Sequence, residues 1–265
     1  MEVVGRTVVV TGGASGIGAA LVQGFKAQGA DVWVLDMARE AARDPDRYLM
    51  CDVTDASALG TALDKVCSVS GEVDIYVSNA GVMSRDLGDI ERSSIADWER
   101  CWSVNVMAHV HAVQAVLPAM RSRGCGHFVI VASAAGLLNQ IGDAAYSATK
   151  HAAVSFADSL AIEHGDDGIG VSLVCPQYVA TPLIGLTEED AKQASGLLTA
   201  TQVADCVLAA VADDRFLVLP HPEVAGYAGL RAQDHDRWIN GMRKLRQRAE
   251  RETGSIDPTE FYKLV

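Results

Sequence analysis

The sequence predicts a single α/β domain, a doubly wound parallel sheet of about seven strands with helices on both faces and a helical tail at the C-terminus. Three observations lead there. Short apolar runs alternate with stretches of helical pattern from residue 7 to about residue 219, and such alternation makes successive strands parallel through right-handed crossovers. Of 265 residues, 49% are apolar, enough to cover both faces of the sheet. A glycine-rich turn joins the first strand to the first helix, the arrangement that receives a dinucleotide pyrophosphate in Rossmann-type folds.

The strands are expected near 7–10, 31–35, 47–51, 74–78, 127–132, 169–174 and 215–219. Thr7-Val8-Val9-Val10 reads as a short buried strand and runs into Thr11-Gly12-Gly13-Ala14-Ser15-Gly16-Ile17-Gly18, which opens a helix through about Gln28. Gly12 permits the tight turn, Gly16 lets backbone N–H groups approach a pyrophosphate, and Gly18 lets the helix sit close to the strand. The helix N-terminus adds partial positive charge. The second strand ends at Asp36, eighteen residues after Gly18, where a carboxylate binds an adenine ribose diol. The helix after the fifth strand is expected to end at Gly165 as a left-handed cap. Ligands of such sheets bind at the carboxyl ends of the strands. Gly12, Asp36, Asp52, Asn79, Ser133 and Pro176 all fall at such ends, so one cleft built from six loops is expected.

Tyr146 and Lys150 stand four residues apart, and Ser133 lies thirteen residues before the tyrosine. On a helix that spacing puts phenol and ammonium on one face. A phenol titrating near pH 10 is a poor base at neutral pH, and a nearby positive charge is expected to lower its pKa. The Ser133 hydroxyl can then bond a substrate oxygen whose proton Tyr146 removes or supplies. Taken alone, the triplet reads better as an ordinary amphipathic helix with a surface lysine and a packed tyrosine. The N-terminal fingerprint decides for catalysis.

With these motifs in order, the chain resembles the short-chain dehydrogenase/reductase family of nicotinamide-dependent oxidoreductases. The likeness runs in motifs from Thr11 to Thr181, and in element alternation to about Leu219. It implies that Gly12, Ser15, Gly16, Ile17, Gly18, Asp36 and Met37 bind the cofactor, that Asp52 and Val53 contact its adenine, and that Asn79-Ala80-Gly81 end the fourth strand beside it. Pro176, Val179 and Thr181 are implied at the nicotinamide end. By the same resemblance Asn105 kinks a helix and holds a water of a proton relay, while Lys150 lowers the Tyr146 pKa and bonds the nicotinamide ribose. The implied reaction interconverts a secondary alcohol and a ketone. Asp36 would repel a 2'-phosphate, and Met37, Ala14 and Ser15 supply no cation for one, so NAD is expected. Arg39 reads as a solvated helix residue. The alternatives are an NADP-dependent carbonyl reductase and a non-catalytic NAD-binding sensor or scaffold of the same fold. One departure stands out: the family commonly has Pro-Gly where this chain has Pro176-Gln177. Gln177 either lends the pocket a polar amide or points to solvent.

Residues 178–200 correspond to the variable substrate-covering segment, with Leu183, Ile184, Leu186, Leu197 and Leu198 as apolar candidates and Glu188, Glu189 and Asp190 as a solvated helix start. Gly136 to Gln140 form the opposite wall. Mostly apolar walls suggest a hydrophobic or ring-bearing alcohol or ketone. The extension over 220–265 follows Pro220-His221-Pro222. From Ala232 to Arg251 it carries one apolar stripe of Trp238, Met242, Leu245 and Ala249, with Arg237, Arg243, Lys244, Arg246 and Arg248 largely off it. That stripe packs either on the protein's own surface or a neighbouring subunit, or over the lid with Trp238 near the bound alcohol.

A net charge of -12 argues against nucleic acid or an anionic membrane as partner. Six scattered cysteines fit neither a disulfide framework nor a zinc site and read as reduced thiols. His109 and His111 would point to different faces of a helix, and no metal site is expected. The N-terminal segment lacks the pattern of a secretory signal and no run approaches a membrane span, so a cytoplasmic protein is expected. The resemblance also implies a homodimer or homotetramer built on the long helices beginning near Trp98 and Asp143. Size-exclusion chromatography with light scattering should give a dimer or tetramer; a monomer at micromolar concentration rejects it.

Overall fold

The structure, a computed structural model, describes residues 1–38, 45–85, 87–194, 196–254, 256, 261, 262 and 264. Arg39, read above as a solvated helix residue, lies outside them. Strands β1 (Thr7–Thr11), β2 (Asp31–Asp36), β3 (Tyr48–Met50), β4 (Ile75–Ser78), β5 (Gly126–Val131) and β6 (Ile169–Val174) form one parallel sheet with the short β9 (Leu217–Val218), in the order β3-β2-β1-β4-β5-β6-β9. β3 and β9 are shorter than expected because they are edge strands, each paired along one side.

The pleat divides the core in two. On one face Val9, Tyr76, Phe128 and Ile130 pack with Leu63 and Val66 of α2 (Ala56–Ser70), Met120 of α4 (Ala108–Arg123) and Leu160 of α5 (Ala144–His164). On the other, Val8, Val10, Ile75 and Val77 pack with Leu21 and Phe25 of α1 (Gly16–Ala27) and with Val207 and Val211 of α7 (Ala200–Ala212). Strands buried on both faces read as unbroken apolar runs, which is why the sequence displayed them.

The order reverses beside β1, and the carboxyl edge there is held tightly. Asn79 Nδ2 donates to the carbonyls of Thr11 and Gly12 at 2.9 and 3.2 Å, and Asn79 N donates to Thr11 Oγ1 at 3.0 Å. A Cβ on Gly18 would lie 2.1 Å from Gly12 O, so no other residue lets α1 come this close.

α3 (Ile95–Trp102) runs into α4 through a π-helical turn over Ser103–Met107. This is the irregularity expected at Asn105, and one extra residue per turn is its cause. The cap expected at Gly165 is corrected: Gly165 has φ -58 and begins a 3-10 turn, and the left-handed residue is Gly168 at φ 76. A Cβ on Gly168 would meet Gly124 O at 2.2 Å, a tertiary contact the sequence did not display.

Residues 178–200, expected as the substrate-covering segment with a helix start at Glu188 to Asp190, have that helix and in addition a small second sheet. β7 (Tyr178–Ala180) and β8 (Leu197–Thr199) pair in parallel around α6 (Glu188–Gln193), which Thr187 and Asp190 cap reciprocally. The tail forms two helices, α8 (Glu223–Gln233) and α9 (His235–Thr253), rather than one. The break falls at Asp234, whose carboxylate caps α9 by accepting from Arg237 N at 2.9 Å. The stripe packs on the protein's own substrate-covering segment: Leu245 and Ala249 join Tyr178, Ala180, Leu197 and Phe261 in a third core, while Trp238 and Met242 border a cavity beside it. Arg231 Nη1 donates to Leu137 O at 2.8 Å, and Arg246 bonds Asp89. No helix among the described residues is long and apolar enough to cross a membrane.

Candidate active site

A cleft of about 510 Å³ follows the carboxyl edge of the sheet. Gly12, Ser15, Gly16, Ile17, Asp36, Met37, Asp52 and Val53 line one end, Asn79, Ala80 and Gly81 the middle, and Ser133, Tyr146, Lys150, Pro176, Gln177, Val179 and Leu183 the other, while Thr181 packs against Gly16 between them. Three expected residues stand apart from this lining. Gly18 lies beneath Gly12, Asn105 sits one layer behind, and Trp238 borders an adjoining cavity.

At the first end, backbone N–H groups aim the Asp36 carboxylate. Ala14 N donates to Oδ2 at 3.0 Å and Ala38 N to Oδ1 at 2.9 Å. Gly12 and Gly16 take φ 63 and 52 in the turn. The Ser15 side chain makes no capping bond to α1, and the first turn carries no acidic residue, so the helix N-terminus is electropositive and open to an anion.

At the other end, β5 delivers Ser133 and α5 delivers Tyr146 and Lys150. Ser133 Oγ accepts from Ala135 N at 3.0 Å and donates to Pro176 O at 3.4 Å. The buried Lys150 Nζ donates to Val131 O at 3.0 Å and lies 5.5 Å from the Tyr146 ring centroid. The expected lowering of the Tyr146 pKa does not appear. Burial pushes the phenol up to about 12 against the opposing Ser133 bond, and burial pushes Lys150 down to about 8. Desolvation of each charged form outweighs their mutual attraction here.

The supporting shell is more specific than the sequence suggested. Asn105 Nδ2 donates to Val82 O at 2.9 Å and to Thr149 Oγ1 at 3.0 Å, and Oδ1 accepts from Val82 N at 2.9 Å. One amide hydrogen therefore latches the π turn to α5 and the other to the loop after β4, leaving one Oδ1 lone pair for a water. Asp143, named in sequence only as a helix start, is 2% exposed. Its carboxylate accepts from Tyr146 N, Ser84 N and Ser84 Oγ at 3.0, 3.0 and 2.5 Å. It escaped notice because its partners lie fifty-nine residues away in the chain. His109 Nδ1 is 2.6 Å from Ser78 Oγ, and burial followed by the Lys150 charge pushes it down to about 3, holding it neutral. Among the described residues no group of His, Cys, Asp or Glu is placed to hold a metal ion, and all six cysteines are free.

Of the lid candidates, Leu183 and Ile184 line the cleft, Leu186 and Leu197 join the tail core, and Leu198 packs against the sheet. Gln177 borders the cleft rather than only solvent, and its backbone N–H donates to His221 Nδ1 at 3.1 Å.

Residues 6–192 match the family model described as short chain dehydrogenase. The chain belongs to that family, of Rossmann-type oxidoreductases. The 3-alpha-(or 20-beta)-hydroxysteroid dehydrogenase of Mycobacterium tuberculosis is 31% identical over 196 residues, spanning 71% of this chain and 75% of the relative. A short-chain dehydrogenase/reductase from Burkholderia phymatum, solved in complex with NAD, superposes with a TM-score of 0.80 at 28% identity, covering 89% of this chain and 96% of that one. LigO of Sphingobium sp. strain SYK-6, in its apo form, does so at 0.77 and 29% identity, over 96% and 99%.

Replacing Lys150 with Met tests the electrostatics. The folded-state pKa lies below the unfolded 10.5, at about 8, so below pH 8 the native state pays the full penalty for the buried ammonium, of order 3 kcal/mol. Lys150→Met should raise stability at pH 7 by up to that amount, and the gain should shrink as pH climbs from 8 to 10.5. Urea unfolding at several pH values checks this; a pH-independent difference rejects it.

Proposed function

We propose that this protein is an NAD-dependent oxidoreductase interconverting a hydrophobic secondary alcohol and its ketone. The observation that carries the reading is the convergence of Ser133, Tyr146 and Lys150 at one end of a cleft whose other end holds Asp36. The residues fit a dinucleotide. The Gly12–Gly18 turn supplies the close backbone approach, the open N-terminus of α1 suits a pyrophosphate, and Asp36 is aimed at the site of an adenine ribose. Among the described residues, Lys150 is the sole cation lining the cleft, and it lies at the end away from Asp36. Among the described residues a 2'-phosphate would therefore meet the Asp36 carboxylate without a compensating charge.

The bound nicotinamide supplies hydride acceptance or donation. The chain's own residues handle the proton and the oxygen. Tyr146, protonated at neutral pH, donates its proton to the carbonyl oxygen in reduction, which leaves the phenolate, and in oxidation it is that phenolate that takes the hydroxyl proton and returns to the phenol. Ser133 donates a hydrogen bond to the same oxygen as charge develops on it. Lys150 lies behind the phenol, where its charge favours the phenolate whenever it forms, and Asn105 and Asp143 hold α5 in register.

Tyr146→Phe removes only the proton-transferring oxygen. It should cut kcat by about 10²- to 10⁴-fold with NAD affinity little changed, as measured by steady-state kinetics and cofactor titration. Undiminished turnover removes Tyr146 from the mechanism and favours a binding protein instead. Asp36→Ala should erode the ratio of kcat/KM with NAD to that with NADP by about tenfold or more. An unchanged ratio argues for the NADP-dependent reading.

A further inference from the structure

Beyond the cleft lies a second cavity, of about 170 Å³, under the tail. Trp238 and Met242 of α9, Tyr227 of α8 and Phe261 form one side, and the loop Leu138 to Ile141 the other. Gln140, Gln177 and Tyr178 border both cavities, so the second adjoins the first at the end that holds Ser133 and Tyr146. Its position is fixed from both sides. Arg231 ties α8 to Leu137 at 2.8 Å and stacks over the Trp238 ring at 5.2 Å, while Arg246 ties α9 to Asp89. The His221 bond fixes the backbone of Gln177 at the neck.

We infer that this cavity is the specificity lobe of the active site and takes a single aromatic ring, carried by the substrate at a distance from its reacting carbinol. The inference rests on the alcohol–ketone reading above. Volume sets the ring count: an apolar cavity of about 150 Å³ accommodates one benzene ring, so a fused polycyclic skeleton overfills this one. Chemistry favours an aromatic ring over an alkyl chain. Four aromatic side chains, Tyr178, Tyr227, Trp238 and Phe261, line it, and the Met242 thioether packs well against an arene. No ion-pairing group lines the lobe among the described residues, so the ring it takes carries no charge.

The test is a series of ω-phenyl-2-alkanols with one, two, three or four methylenes between carbinol and ring, each compared with the 2-alkanol lacking the ring. At the best linker length, kcat/KM with NAD should exceed that of the ring-free partner by about tenfold or more. The preference should fall toward unity in Trp238→Ala, which removes the aromatic wall, and in Met242→Trp, which fills the lobe. Equal efficiencies across the wild-type series overturn the lobe and leave the oxidoreductase reading standing. If neither series nor the matching ketones turn over, the oxidoreductase reading fails, and direct binding decides the lobe. Fluorine NMR of 4-(4-fluorophenyl)butan-2-one with NAD present should detect binding to wild type that weakens about tenfold in Met242→Trp. No binding, or equal binding to both proteins, overturns the assignment.

Discussion

A lysine ammonium enclosed in the protein is the constraint on which the site depends. Lys150 is 4% exposed and donates to the carbonyl of Val131 at the end of β5, so helix and strand must keep a fixed relation or the charge loses its partner. The surrounding bonds maintain that relation. Thr149 accepts from Asn105 and donates to Tyr146 O, joining the π turn to α5. Asp143 caps the same helix while holding Ser84 from the loop after β4. The face of α5 that carries Tyr146 and Lys150 is thus clamped from two other segments, the preorganisation that the proposed proton transfer requires.

Burial also explains why the tyrosine and lysine shift away from the charged state together. Each ionised form loses water, and attraction across 5.5 Å to a ring centroid does not recover the loss. The site stores this cost in the folded state, as functional sites commonly do at the expense of stability. His109, neutral one layer away, keeps a second cation from adding to it.

The tail changes the shape of the binding space rather than its chemistry. Its two helices close over the small β7–β8 sheet and leave an apolar recess beside the catalytic end. Cofactor cleft and recess meet at Gln140, Gln177 and Tyr178, so the residue standing where the family commonly has glycine lies at the junction of the two.

By itself the sequence determined the parallel sheet, the glycine turn, Asp36 and the Ser133, Tyr146 and Lys150 set, because each is a local pattern: apolar runs, a turn chemistry, a helical spacing. Gly18 and Asn105 were legible for the same reason, as members of short motifs. Only the tertiary structure decided what depends on distant segments meeting. The β7–β8 pair joins Tyr178–Ala180 to Leu197–Thr199 across α6, Asp143 answers to Ser84, and Gly168 must lack a Cβ because Gly124 O lies 2.2 Å from where one would stand. The protonation states belong to the same group, since desolvation is a property of everything packed around a group and no spacing along the chain encodes it.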